Sequence, residues 1–306
     1  MSFDLFFCWQ RQERIDFADV CGWARDFQSF EQKNNQLWYR DKDTGVYFSI
    51  DFEGAPALEG EGPEIPSGYF DTGLSFNLNF NRPSFFGHES LPIVEALCKR
   101  FGLSAFDPQA PDSKQLLLRE VSAVQLLQSW LINNRNAIVT MIEHAGLETP
   151  PEMSPEQSMY RWKYSKNKKN LQSQCGDGIF VPTLSPIRRM GSKKVQLAFA
   201  LTERVPCLVP DSDWVLVVRK KKQHFWSPAT SDIGVLSAAR FRELAAENLQ
   251  PFESGELFLQ VIKPENALAL SKVIQKCEFE LPRQEFEVLS PDEFVDIGRG
   301  KAARPN

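Results

Sequence analysis

The sequence of 306 residues has little histidine and no closely paired cysteines. Its three histidines, His88, His144 and His224, stand far apart from one another. A structural zinc site needs clustered Cys and His ligands, so the spacing predicts no metal site, and no motif indicates a cofactor. The six cysteines are widely spread without a Cys-x-x-Cys pair, and most have apolar neighbours. Such cysteines are typical of reduced, buried thiols in a cytoplasmic protein.

Signature motifs of common enzyme classes are also absent. The chain contains no Gly-x-Ser-x-Gly, Gly-x-x-x-x-Gly-Lys, His-Glu-x-x-His or Gly-x-Gly-x-x-Gly sequence, the motifs of many hydrolases, nucleoside triphosphatases, metalloproteases and dehydrogenases. His88-Glu89 and His144 remain as acid/base candidates, although a helix entry explains His88-Glu89 equally well. The sequence therefore identifies no catalytic residue. An enzyme whose site assembles only in the folded chain stays open as an alternative.

Long apolar runs are missing as well, because no stretch approaches the 18 or more residues that a membrane-spanning helix needs. Asp4 stands where a signal peptide needs positive charge. We therefore expect a cytoplasmic protein without a membrane partner. The chain contains 24 Phe, 7 Trp and 5 Tyr, and 42% of its residues are hydrophobic, which indicates a globular protein rather than a disordered one.

Hydrophobic periodicity predicts an α+β fold, in two domains that each pack helices against a mainly antiparallel sheet. In the first half, strands are predicted at Phe3–Trp9 and Leu74–Asn81, with a hairpin around the turn Asp41–Gly45 and an exposed acidic loop at Gly54–Gly68. Helices are predicted at 16–30, 90–101 and 112–145, the last with a break near Asn133-Asn134. The element order up to the second helix is then β-α-β-β-β-α.

Three prolines in the segment Thr149–Pro155 predict a linker, since proline removes a backbone donor and disfavours helix before it. We therefore predict an acidic domain at 1–148 and a basic-faced domain at 156–306. In the second domain, strands are predicted at 195–201, 214–218 and 257–262, and helices at 238–248 and 265–277.

Charge is divided unevenly along the chain. Residues 1–150 hold 12 Lys+Arg and 21 Asp+Glu, a net charge of −9, whereas residues 151–306 hold 23 and 19, a net charge of +4. The strongest basic segment is 160–194, with nine cations and Asp177 alone as an acid. Its predicted partner-binding residues are Arg161, Trp162, Lys163, Lys166, Lys168, Lys169, Arg188 and Arg189.

Several interpretations of these features stay open. Basic residues next to aromatic rings could neutralise phosphates and stack on bases. They could equally form a solvated face, or a face that docks on an acidic protein surface. On the first domain, the polar face of the strand that ends at Asn81, with Asn77 and Asn79, could bind a ligand or simply face solvent.

We favour a protein-binding protein that neutralises a partner, such as an immunity protein that inhibits a secreted bacterial toxin domain by direct binding. The division of charge supports this hypothesis, because complementary fields steer a charged partner. A nucleic-acid-associated factor that uses segment 160–194 is the first alternative. An enzyme without a visible motif is the second.

Overall fold

The computed structural model confirms a mixed α+β fold. It describes residues 1–10, 15–53, 65, 67–109, 117–144, 146, 148–220 and 231–296. The chain divides into two compact units, Met1–Thr149 and Pro150–Asn306, here called unit 1 and unit 2. Most of the predicted acidic loop, the start of the helical pattern at Asp112, and His224 lie outside the described residues.

Unit 1 is built on an antiparallel sheet of seven strands in the order β2-β3-β4-β5-β1-β6-β7. The predicted strands at the N-terminus and before Asn81 form its centre. The strands are β1 (Ser2–Trp9), β2 (Phe30–Lys33), β3 (Gln36–Arg40), β4 (Tyr47–Phe52), β5 (Phe70–Asn79), β6 (Ser104–Phe106) and β7 (Leu117–Leu118).

An aromatic row on the apolar face stabilises this sheet. Neighbouring ring centroids lie 5.2 Å apart for Phe30 and Tyr39, 4.6 Å for Tyr39 and Phe48, and 5.4 Å for Phe48 and Phe76. Each of these four residues comes from a different strand, β2 to β5. Cross-strand aromatic pairs are a main source of sheet stability. They explain why Phe30 belongs to a strand rather than to the end of the predicted first helix.

The helices of unit 1 differ from the sequence prediction at their ends. They are α1 (Phe17–Ala24), α2 (Phe85–Phe101) and α3 (Ala123–His144). Helix α1 ends six residues before Phe30, and α2 begins five residues before Ser90. The predicted break at Asn133-Asn134 is wrong, because α3 is continuous through both residues. Gly87 allows α2 and α3 to approach closely, since an added Cβ there would lie 2.7 Å from the Trp130 ring.

Unit 2 contains two sheets. One has three antiparallel strands in the order β10-β14-β13, and the other has six in the order β15-β12-β11-β9-β8-β16, in which only β9 and β11 pair in parallel. The strands are β8 (Leu184–Arg189), β9 (Val195–Thr202), β10 (Cys207–Pro210), β11 (Trp214–Lys220), β12 (Ser231–Ser237), β13 (Gln250–Ser254), β14 (Leu257–Ile262), β15 (Leu281–Pro282) and β16 (Phe286–Val288). The predicted strand 257–262 therefore matches β14 at both ends.

The first helix of unit 2 begins within the predicted linker, and the second begins within the predicted basic segment. The helices of this unit are α4 (Pro155–Lys166), α5 (Lys168–Cys175), α6 (Ala238–Ala245) and α7 (Pro264–Ile274), with 3₁₀ turns at Ala246–Asn248 and Arg283–Glu285. The proline segment before α4 already belongs to this unit. The Glu152 N–H donates to the Lys193 carbonyl, and the Met153 N–H donates to the Val295 carbonyl. The second unit thus starts about six residues earlier than the predicted domain.

Candidate binding groove

The polar strand face of unit 1 is shorter than predicted. Asn77 and Asn79 both lie on β5, but Asn81 lies beyond the strand in a turn, with a left-handed φ of 60°. The Asn77 side-chain amide donates to the Asp4 carboxylate at 2.5 Å, and the Ser2 hydroxyl donates to the same carboxylate. Asn77 of the predicted polar face therefore already binds a side chain of the neighbouring strand β1.

The candidate acid/base residue Glu89 has a structural position. Its side chain lies in the interior of unit 1, where its Oε1 accepts hydrogen bonds from the Tyr39 hydroxyl at 2.7 Å and from the Thr44 hydroxyl at 3.2 Å. Burial and the neighbouring carboxylate raise the pKa of Tyr39. Glu89 thus ties α2 to β3 and to the Asp41–Gly45 turn. His88 is half-buried, and the side chain of His144 lies outside the described residues.

The predicted partner-binding residues of unit 2 are distributed over α4, α5 and β8 rather than over one loop. Arg161 lies on the inner face of α4 and is only 4% exposed. Burial lowers the pKa of its guanidinium to about 10, because the charged form loses solvation. The Arg161 side chain is therefore not part of the surface that a partner would contact.

Acidic residues of unit 2 pair with three of the other predicted cations. On the neighbouring strand β16 and just before it, Glu287 forms an ion pair with Arg188, and Glu285 forms one with Arg189 at 2.6 Å. Lys163 forms an ion pair with Glu256 at 2.6 Å. Lys168 instead donates a hydrogen bond to the Thr183 hydroxyl at 2.9 Å, while Lys166 and Lys169 are exposed. Three of the nine cations of segment 160–194 are thus paired with acids that are distant in sequence.

Three of the predicted residues line one groove, here called the Trp162 groove. It has a volume of about 410 Å³ and lies between the α4–α5 helices and the turn that joins β13 to β14. Its lining consists of Trp162, Lys163, Lys166, Asn167, Asn170, Gln174, Ser254, Gly255, Glu256 and Leu257.

Helix α4 holds its side of the groove through contacts made at both ends. The Ser154 hydroxyl caps the helix by accepting from the Gln157 N–H, and Pro155 suits the first turn, where its missing N–H is not needed. Farther along, the fully buried Tyr164 donates its hydroxyl to the Pro182 carbonyl at 2.8 Å. These contacts turn Trp162 and Lys166, four residues apart, toward the same side of the helix.

The opposite side of the groove is the β13–β14 turn. Gly255 has a φ of 57°, a left-handed conformation that glycine adopts without strain. The Tyr160 hydroxyl donates to the Phe258 carbonyl on β14 at 3.1 Å and accepts from the Asp211 N–H at 2.8 Å. Tyr160 therefore connects α4 directly to β14 and fixes the distance between the two sides.

Sequence reasoning found the cations and Trp162 but missed the amide side chains of the groove. Lys166, Asn170 and Gln174 follow Trp162 at intervals of four residues, which is the spacing of one helix face. That spacing could have indicated an amide-lined surface. The turn around Gly255 could not have been assigned to the site, because it lies about 90 residues later in the chain.

The groove offers a half-buried indole ring, ammonium donors, amide groups and the Glu256 carboxylate for contacts with a bound group. Within the described ranges, no three Cys, His, Asp or Glu side chains lie close enough to hold a metal ion, and no helix is long and apolar enough to cross a membrane. The sequence matches no protein-family model, no curated protein and no solved structure.

Proposed function

We propose that the protein binds another protein through the Trp162 groove and neutralises that partner by occupancy rather than by catalysis. The observation that carries this proposal is a half-buried tryptophan set between lysines, amides and a backbone turn. Tryptophan is a frequent energetic centre of protein interfaces, and polar groups commonly surround such a centre.

The charge of the groove favours an acidic partner. Lys163 and Lys166 stand in the last turn of α4, and Lys163 forms an exposed ion pair with Glu256. Exposed ion pairs contribute little stability, so an incoming carboxylate can exchange with Glu256 at low cost. A bacterial toxin domain with an acidic surface is a partner of this kind, and the protein would then act as an immunity protein in the cytoplasm.

Nucleic-acid binding has less support from the same residues. A phosphate-binding track needs several exposed cations along one path. Here Arg161 is buried, and Arg188 and Arg189 are paired with acids of their own unit. The exposed cations that remain near Trp162 are better suited to a compact acidic surface.

Affinity purification from the native cell tests the proposal. We expect the wild-type chain to retain one protein in stoichiometric amount, with or without nuclease treatment. Trp162→Ala should lose that protein through loss of the central contact, and Lys166→Glu should lose it through charge repulsion. Lys194→Glu is the matched control, because it makes the same charge change at an exposed position before β9, outside the groove.

Two results would contradict the proposal. Retention that is equal in the wild type, Trp162→Ala and Lys166→Glu would place the partner elsewhere on the molecule. Recovery of nucleic acid that salt or nuclease removes, and that Lys166→Glu abolishes, would favour the nucleic-acid alternative.

A further inference from the structure

A polar cavity of about 400 Å³ lies at one end of the unit 1 sheet. Its lining comes from parts of the chain that are distant in sequence, namely Trp9, Gln10, Tyr69, Gly102, Ser104 and Arg119. The antiparallel register explains the convergence. The end of β1 pairs with the start of β5, where Trp9 lies opposite Phe70, and with the start of β6, where Cys8 lies opposite Ser104. Helix α2 ends three residues before β6 begins. Several independent elements thus build this cavity.

Arg119 supplies the positive charge of the cavity. Its side chain is exposed just after β7 and, within the part of the chain that the structure describes, forms no hydrogen bond or ion pair. It also lines an adjoining cavity of about 600 Å³, whose other charged lining residues are Lys99, Glu95 and Glu120. A guanidinium group binds carboxylates and phosphates through two parallel N–H donors.

Aromatic and polar groups surround this cation. Trp9 and Tyr69 are both half-buried, and the Gln10 amide donates to the Tyr69 hydroxyl at 3.0 Å, which restrains the phenol ring. Ser104 adds a nearly buried hydroxyl group. Flat rings stack on aromatic side chains, and a volume of this size falls within the range of small-molecule sites.

We propose that this cavity, here called the Arg119 cavity, binds a small molecule that carries one carboxylate or phosphate group on a planar ring. The acidic character of unit 1, with a net charge of −9 over residues 1–150, repels a polyanion such as a nucleic acid. A single anionic group close to Arg119 gains the local attraction and avoids most of that repulsion. This inference does not depend on the Trp162 groove.

Calorimetric titration of the full chain tests the ligand class with two anionic probes, AMP and 1-naphthoate. Adenosine and 1-naphthalenemethanol are their uncharged counterparts. We expect at least one anionic probe to bind with a Kd below about 1 mM, and its counterpart to bind at least about tenfold more weakly. Binding of AMP alone would identify a phosphate ligand, and binding of 1-naphthoate alone a carboxylate ligand.

Variants then test the residues. Arg119→Gln should weaken binding of the anionic probe at least about tenfold, and Arg119→Lys should weaken it less, because the charge stays while the paired donors are lost. Arg100→Gln is the matched control, since Arg100 is an exposed arginine of α2 outside the cavity lining. Absence of binding by both anionic probes, or equal affinity of wild type and a folded Arg119→Gln variant, would overturn the proposal.

Discussion

Replacement of Asn134 by alanine should destabilise unit 1. Asn134 is fully buried in the middle of α3, where its Oδ1 accepts from the Asn81 N–H at 2.7 Å and its Nδ2 donates to the Arg82 carbonyl at 2.8 Å. The two backbone groups belong to the turn after β5, and Asn81 has a left-handed φ there. The Asn134 side chain thus satisfies one backbone donor and one backbone acceptor of this turn.

The expected cost follows from these two hydrogen bonds. Each contributes about 1 kcal/mol net, and the backbone partners left behind are only partly accessible to water, so Asn134→Ala should lower the free energy of unfolding by about 2–3 kcal/mol. With a urea m-value of about 2 kcal/mol/M, the unfolding midpoint should fall by about 1–1.5 M. Amide exchange at Asn81 should also become faster, which hydrogen exchange with mass spectrometry can measure.

Asn133→Ala is the matched control, because Asn133 is the adjacent asparagine of the same helix and forms no side-chain hydrogen bond to any part of the chain that the structure describes. Its midpoint should stay unchanged or rise slightly, since alanine has the higher helix propensity. Equal midpoints for the Asn134→Ala and Asn133→Ala variants would refute the assignment of Asn134 as the residue that holds the turn.

Two further predictions concern packing and pH. Gly234→Ala should lower the urea midpoint, because the added Cβ would lie 2.0 Å from the Phe279 ring, whereas Gly178→Ala, with no atom within 4 Å of its Cβ, should not. Burial raises the pKa of Cys8 and of Cys207 from 9.0 to about 12. Because the folded state keeps these protons longer than the unfolded state, the stability that the two buried thiols contribute should be fully present below pH 9 and be lost between pH 9 and 12. Denaturant titrations at a series of pH values measure this loss, and a flat profile would contradict it.

The strands that the sequence predicts well are those with a long alternating pattern. In β5, Leu74, Phe76 and Leu78 are buried while the residues between them are partly exposed, so the pattern identifies the strand directly. β6 and β7 contain only three and two residues, respectively. A segment of that length is too short to show a period, and only its pairing partners make it a strand.

The helices α4 and α5 were missed for a different reason. Their exposed positions are polar or charged, so the segment looks like a basic loop when composition alone is considered. Their buried positions, Arg161, Tyr164 and Leu171, follow the spacing of one helix face. One of these positions is an arginine, and a pattern search that treats every arginine as exposed cannot recognise the inner face.

Asn133-Asn134 lie inside a continuous helix, although the sequence predicts a break there. The break is expected because one straight helix over residues 112–145 would be about 50 Å long. In the folded unit, the Asn134 amide satisfies backbone groups of the turn at Asn81. Because this bond joins residues 53 positions apart, no local rule could anticipate it.

Contacts between residues that are distant in sequence also change the interpretation of the basic segment 160–194. A sum over residues 160–194 includes Arg188 and Arg189, but their counter-charges Glu287 and Glu285 arrive with β16, about 100 residues later. Strand pairing therefore neutralises part of the charge that suggested phosphate binding. In the folded unit, Lys166 is exposed and lines the groove together with Trp162. A small groove with one aromatic centre, rather than an extended basic track, is consequently the surface through which we propose that a partner binds.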